Sequence, residues 1–315
     1  MEYQVSKTWD GATVLEVLRH ELKLSRGHLK HLKFMENGIV VNGKPVTVRY
    51  ILREGDRLVV ATEDTQPQER LLPVDLPLAV AYEDEDTVVP DKPADMPTHP
   101  SHNHHDDTVA NALAFRYGRL GIPFVFRPVN RLDRNTSGLL LVARNRVAAS
   151  ALFHAMQKGE IRKRYLAILC GIPKETEGLV DTYMRRTAQS IIVRENCPKG
   201  EGGDRALTRY RVLCQKNGHA LALAEPLTGR THQLRVHFAG LGCPILGDDL
   251  YGSPSDLIGR HALHSCALSF PSPSDGNRIE IYSPLPKDMD GVARQLFGEA
   301  LPSPQALLDL LKGNP

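Results

Sequence analysis

The sequence predicts an α+β protein: a mixed, largely antiparallel central sheet flanked by helices, preceded by a small α/β module. Three observations lead there. Strand-like stretches ("GLLLVAR", "KRYLAILCG", "ALTRYRVLC", "HALALAE") are interspersed with helix-period stretches, without the strict alternation of a doubly wound sheet. A length of 315 residues suits one large and one small unit. A polar stretch with three prolines, "TEDTQPQERLLPVDLP", separates the two. The expected boundaries are a module over 1–62, a linker over 63–77, a large domain over 78–300 and a tail over 301–315.

In the module, "ATVLEVLRHEL" sets Val14, Leu18 and Leu22 at helical spacing. Ser25 is a candidate N-cap for a second short helix, "RGHLKHLKF", on which Arg26, Lys30 and Lys33 share one face. "GIVVNGKPV" reads as strand, Asn-Gly turn, strand. In the large domain Thr108 can cap a helix carrying Val109, Ala112 and Leu113. "RVAASALFHAMQKG" places Ala148, Ala151, Leu152, Ala155 and Met156 on one side and ends at Gly159. "GRTHQLRVHFAGLG" switches to helical period, with Leu234, Phe238 and Leu241 inward. The tail holds at most one small helix.

Composition narrows the class. With 41% hydrophobic and 24% charged residues the chain is an ordinary globular protein, and a net charge of +2 says little by itself. No apolar run approaches the roughly 18–20 residues that span a bilayer. No secretion signal opens the chain, and five scattered cysteines without CxxC spacing point to reduced thiols. A cytoplasmic protein is the expectation.

Two stretches carry candidate chemistry. In "NRLDRNTSG" a lone carboxylate, Asp133, lies between Arg131 and Arg134 and ahead of Thr136, Ser137 and Gly138, whose small size allows close approach of backbone or ligand. In "PLTGRTHQLRVHFAGLGCPILGDDLYG", His232, Arg235 and Ala239 form a helical face opposite the apolar one, suited to an anion or a buried carboxylate. A surface ion pair and a solvated basic face are the plain alternatives. Tyr165 follows basic residues on a strand.

Taken together, these stretches resemble the RluA-type pseudouridine synthases. "RLDRNTSG" is similar to the catalytic signature of that family, "KRYLAILCG" to its tyrosine strand, and "GRTHQLRVHFAGLGCPILGDDLYG" to its longest shared segment. "ALHSCALSFPSP" and "YEDEDTVVPDKPADMPTHP" extend the likeness over roughly 78–285 in consistent order, and "LSRGHLKHLKFMENGIVVNGKPV" resembles the alpha-L RNA-binding module. The resemblance implies the pseudouridine synthase fold and an isomerase that detaches uracil from its ribose and rejoins it through carbon, without cofactor or metal. It implies Asp133 as catalytic carboxylate and Arg235 as the guanidinium that keeps it charged and oriented. It gives Tyr165 the roles of packing on the base and of general base. It assigns Arg131 to the space left by the flipped nucleotide and Leu263 to the uracil pocket, with core packing an equal reading for the leucine. Arg26, Lys30 and Lys33 become phosphate contacts. The expected partner is RNA, ribosomal RNA first and transfer RNA second, bound by a monomer without a membrane.

The sequence departs from the family pattern at Asn130, where a histidine is common, and at Asp91 and Asp95, which replace the asparagine and glycine of "NKPAG". Two rival readings exist. One is an RNA-binding assembly factor that has lost catalysis. The other takes His99, His102, His104 and His105 of "HPSHNHHDD" as hydrolase metal ligands, against which stands their position in a polar loop without regular spacing.

Overall fold

The computed structural model describes residues 1–22, 24, 29, 32, 35, 37–61, 71–190 and 192–312. Arg26, Lys30 and Lys33, with most of the expected linker, lie outside the described residues. The first sheet runs β1 (Glu2–Gln4), β4 (Arg57–Val60), β2 (Ile39–Val41), β3 (Lys44–Pro45) in spatial order. Asn42 and Gly43 both take positive φ (50° and 78°), as a tight hairpin between β2 and β3 demands. Helix α1 (Val14–Glu16) opens with a capping box from Thr13 and continues as a π turn over Val17–Glu21. Val14 and Leu18 are buried there, while Leu22 is only half-buried.

The second sheet has twelve strands among the described residues. It comprises β5 (Ala79–Glu83), β6 (Thr87–Lys92), β7 (Arg127–Pro128), β8 (Ser137–Leu139), β9 (Val142–Ala143), β10 (Arg162–Cys170), β11 (Glu177–Arg186), β12 (Arg194–Cys197), β13 (Asp204–Lys216), β14 (His219–Pro226), β15 (Leu263–Pro271) and β16 (Arg278–Tyr282). The spatial order is β12-β11-β13-β14-β10-β15-β8-β6-β9-β7, with β16 on β15 and β5 on β6. Every pairing is antiparallel except β15 with β8. "GLLLVAR" is therefore not one strand. It breaks after Leu139, because Leu140 bonds to Pro90 and the chain resumes pairing at Val142.

The helices α2 (Val109–Arg119), α3 (Arg146–Gln157), α4 (Gln233–Gly240), α5 (Lys287–Phe297) and α6 (Pro304–Lys312) cover the sheet. The two-residue period of a strand sorts the apolar residues. Val89, Leu139, Leu141 and Phe270 pack with Ala148, Leu152 and Ala155 of α3. Their neighbours Val88, Leu140 and Val142 belong to the larger core, with α2, α4 and α5. Both faces are buried, so the middle strands read as continuous apolar runs. The tail is tied down as well, since Leu311 of α6 is buried and its carbonyl accepts from the Arg164 guanidinium.

α4 departs from the expected amphipathic helix. Leu234 and Phe238 are inward, but Leu241 is exposed, and Gln233, Arg235 and His237 are buried as well. Polar partners replace apolar contacts on that side. Gln233 donates to the Leu207 carbonyl (2.8 Å) and to Thr208 Oγ1 (2.9 Å), and His237 bridges Thr208 (2.9 Å) and Thr182 (3.0 Å).

Three histidines are buried in such networks. Desolvation pushes His237 down to about 4, and His264, beside Ser137 and Ser283, also to about 4. His261 is driven to about 3 by burial and then by the Arg235 charge. All three are neutral in the folded protein at pH 5, whereas in the unfolded chain they protonate below about 6.5. Unfolding thus takes up protons in that window, and stability falls as pH drops from about 6.5 toward 4. Urea unfolding should lose roughly 1 kcal/mol per histidine between pH 7 and 5.5. A flat profile over that range would contradict the assignment.

Candidate active site

The "RLDRNTSG" stretch connects β7 to β8 as a turn closed by Thr136 N donating to the Asp133 carbonyl (3.0 Å). Leu132 is buried, and its N–H and carbonyl both bond to Thr98 Oγ1 (3.2 and 2.8 Å), so the turn is pinned at its first corner. Two buried cations hold the next two carbonyls. Lys92 Nζ, fully buried at the end of β6, donates to the Arg134, Pro93 and Met96 carbonyls, each at 2.8 Å. Arg260 donates to the Asn135 carbonyl (3.0 Å) and is itself paired with Asp288 (2.7 Å). Thr136 Oγ1 bonds His261 (2.8 Å). At Gly138, φ is 108°, and a Cβ there would run into the Ser265 backbone of β15, so only glycine lets β8 seat beside that strand.

Burial pushes Lys92 down to about 7, and the Asp133 charge opposes that shift. Three acceptors at equal distance match the three N–H donors of an ammonium, so the protonated form is the one this site is built to hold.

Held in this way, Asp133 faces a cleft of about 1330 Å³. Its carboxylate is 26% exposed, with Arg235 Nη1 at 3.8 Å and His232 Nε2 at 4.0 Å from Oδ2. Arg131, Tyr165 and Leu263 line the same cleft, so five residues singled out in the sequence converge there from distant positions. The close partner of Arg235, however, is Asp248, bound through two parallel hydrogen bonds (2.8 and 2.7 Å) with both side chains buried. Burial raises the Asp248 carboxyl, but the Arg235 bonds and charge outweigh it and leave it below the usual range. Asp249 (3.5 Å) and Asp133 (3.8 Å) are further anions of this guanidinium, at ion-pair distance.

His232 takes left-handed φ (59°) as it enters α4. Its Nδ1 bonds Tyr251 Oη (2.8 Å), which also accepts from Arg194 N (2.8 Å). Desolvation lowers this histidine, with the Asp133 charge opposing the shift.

Tyr165 and Leu263 come from adjacent strands, β10 and β15. The pairing shifts register between Arg164 and Tyr165, an irregularity that turns the tyrosine into the cleft. Burial raises its phenol, with Asp133 adding to the shift and the Ser265 hydrogen bond opposing it. Tyr165 is a protonated phenol at neutral pH. Arg131 is exposed at the rim and donates to Thr231 Oγ1 (3.2 Å).

The family departures find partners. Asp95 occupies the left-handed region (φ 63°) that a glycine would take freely, and pairs with Arg134 (2.6 Å). Asp91 accepts from Ser283 (2.6 Å), and Asn130 Oδ1 accepts from Leu141 N (2.8 Å). The histidine loop is bound to the Asp133 turn. His104 contacts Asp107 (2.5 Å) and Arg134 (3.5 Å). Among the described residues no three His, Cys, Asp or Glu side chains converge as a metal-ligand set, and no helix is long and apolar enough to cross a membrane.

Lys92, Asp248 and Arg260 are the site-building residues that sequence reasoning did not assign, whereas His232 was named with Arg235 on one face. For Lys92 a signal existed: a lysine closing the apolar strand "TVVPDK" needs a buried partner set. Replacing it by methionine (Lys92→Met) strands three carbonyls and should cost about 2–4 kcal/mol, lowering the melting temperature by roughly 5–10 °C. Asp95→Gly should stay within about 0.5 kcal/mol, because relief of the left-handed conformation offsets an exposed ion pair. Equal melting of Lys92→Met and the parent protein would refute the clamp.

Comparison with known proteins identifies the family. Residues 86–240 match the RNA pseudouridylate synthase family, and residues 1–58 match the N-terminal domain of the RluD ribosomal pseudouridine synthase. The uncharacterized RNA pseudouridine synthase YjbO of Bacillus subtilis is 39% identical, covering 85% of this chain and 94% of that one. The ribosomal large subunit pseudouridine synthase D of Vibrio cholerae is 33% identical over 84% and 85% of the two chains. Among solved structures, human RNA pseudouridylate synthase domain containing 1 superposes with a TM-score of 0.60 at 28% identity, covering 80% of this chain and 99% of its own. Sharing that fold and those sequence segments, the chain belongs to the RNA pseudouridine synthases, isomerases that convert uridine in RNA to pseudouridine.

Proposed function

We propose that this enzyme isomerises uridine in large-subunit ribosomal RNA, with Asp133 as its catalytic carboxylate. The observation that carries the assignment is the juxtaposition of Asp133, Arg235 and Tyr165 on one cleft, with Arg235 Nη1 3.8 Å from the Asp133 carboxylate. The reaction breaks the bond from ribose to N1 of uracil and forms one to C5. N1 gains a proton and C5 loses one, so no water, oxidant or reductant is consumed. Attack of the carboxylate on the sugar, attack on the uracil ring and assisted formation of a glycal make the same demand: a carboxylate fixed beside a nucleotide that has left its stack. The pinned turn meets the first part, because Lys92 and Arg260 fix the backbone from which the carboxylate projects. The Arg235 guanidinium lies 3.8 Å and His232 Nε2 4.0 Å from Oδ2.

Tyr165, protonated and buried, suits the role of a flat wall for the uracil ring better than that of a base, with Leu263 beside it. Proton transfer in this reading falls to Asp133. Arg131 at the rim occupies the gap in the duplex, its planar guanidinium able to stack and to bind phosphate. The cleft wall also carries Arg162, Lys163 and Arg209, an electropositive lining suited to the RNA backbone. The choice of ribosomal RNA rests on the relatives named for the large ribosomal subunit and on the RluD-type N-terminal match. In that setting Arg26, Lys30 and Lys33 are phosphate contacts of the N-terminal module, and the enzyme works as a cytoplasmic monomer.

Asp133→Asn should abolish pseudouridine formation on a large-subunit transcript while changing RNA affinity less than about threefold. Normal product yield from that variant would overturn the assignment. Replacing Arg26, Lys30 and Lys33 together by alanine should weaken RNA binding and flatten the log–log salt dependence by about 0.7 for each single-strand phosphate no longer neutralised. An unaltered slope would exclude the module from phosphate binding.

A further inference from the structure

The hairpin of β11 and β12 sets Arg186 directly opposite Arg194. Like charges facing each other across an antiparallel pair are destabilising, and nothing nearby neutralises these two. Among the described residues neither guanidinium has a carboxylate in ion-pair range. Glu195 and Glu201 are both engaged by Arg185, and Asp204 by Arg230.

The two arginines line a smaller cavity of about 290 Å³ together with Gly229, Arg230 and Thr231. Those three loop residues also line the large cleft, so the two spaces share a wall. The hairpin is anchored to the catalytic centre through its backbone. Arg194 N donates to Tyr251 Oη (2.8 Å), Tyr251 bonds His232 (2.8 Å), and His232 lies 4.0 Å from Asp133. On the same side, Met184 packs with Val236 of α4, which fixes the hairpin against the helix that carries Arg235.

We propose that Arg186 and Arg194 form a subsite for one RNA backbone phosphodiester, on a nucleotide flanking the target uridine. The chemistry is direct. A singly charged phosphodiester between two guanidinium forks turns a repulsive pair into a charge-assisted bridge. Arg230, already balanced by Asp204 at 3.4 Å, closes the cavity without adding net charge. The inference rests on the RNA-isomerase reading and adds where the strand leaves the cleft: over the Gly229–Thr231 loop toward the β11–β12 hairpin.

The test measures binding of the full-length enzyme to a large-subunit ribosomal RNA transcript across a salt series, together with pseudouridine yield from the unaltered enzyme. R186Q/R194Q should weaken binding by about tenfold and reduce the log–log salt slope by about 0.7. R186K/R194K should keep the slope, since lysine also neutralises phosphate. R119Q, which removes an exposed charge at the end of α2, should change neither. Short RNAs that end at the target uridine should bind R186Q/R194Q and the parent enzyme alike. If the double variant melts early, the single variant R186Q, at an exposed position, decides instead. Parent-like slope and affinity in a folded glutamine variant would overturn the subsite. Failure of the unaltered enzyme to make pseudouridine would overturn the ribosomal-RNA reading but leave the slope comparison intact.

Discussion

Lys92 at the end of β6 and Arg260 just ahead of β15 take the carbonyls of two consecutive residues of the Asp133 turn, Arg134 and Asn135. The rest of the site depends on that capture. A turn at a cleft rim has its own single hydrogen bond and would otherwise sample several conformations. Two buried cations remove that freedom, and each hydrogen bond to a charged donor contributes roughly 1.5–3 kcal/mol. Burying the cations is itself costly. The cost is offset for Lys92 by three carbonyls and for Arg260 by Asp288 and a further set of carbonyls.

The same logic explains why the Arg235 guanidinium faces Asp133 in addition to its close partner Asp248. A fully desolvated arginine needs a close, bidentate partner, and Asp248 supplies it. Asp248 also accepts the N–H groups of Leu250 and Tyr251, so its charge is spread over several donors. The third nitrogen of the fork is then free to face Asp133 without a full hydrogen bond, at 3.8 Å. An aspartate locked into a close pair would have little capacity to engage a nucleotide. One held at ion-pair distance stays oriented and open to the cleft.

Departures from the family pattern alter the scaffold around the turn and leave the cleft chemistry in place. Asp95 accepts a left-handed backbone and in exchange engages Arg134, which binds the histidine loop through His104. Arg134, with no assigned role in the sequence, is thus a link between turn and loop. Asn130 bonds the backbone of Leu141, and through that contact ties the segment before the turn to the strand region after it.

Strands β10, β13 and β14 and the helices α2 and α3 were legible in the sequence, because apolar runs and the 3.6-residue period record which side of each element meets the core. "GLLLVAR", by contrast, divides into β8 and β9. Thr108 marked a helix start for an equally local reason, a side-chain oxygen accepting a main-chain N–H three residues on. Asp133, Tyr165, Arg131, Arg235 and Leu263 could be singled out because they sit in short motifs. The amphipathic reading of α4 failed at Leu241, since Gln233, Arg235 and His237 find buried polar partners on segments distant in sequence. Only the tertiary structure decided that Arg235 is shared between Asp248 and Asp133, that Lys92 sits beneath the turn, and that Arg186 meets Arg194. Each depends on a pairing register or on a meeting of residues far apart in the chain. Local periodicity carries no record of such meetings, because it reports burial and not the identity of the partner.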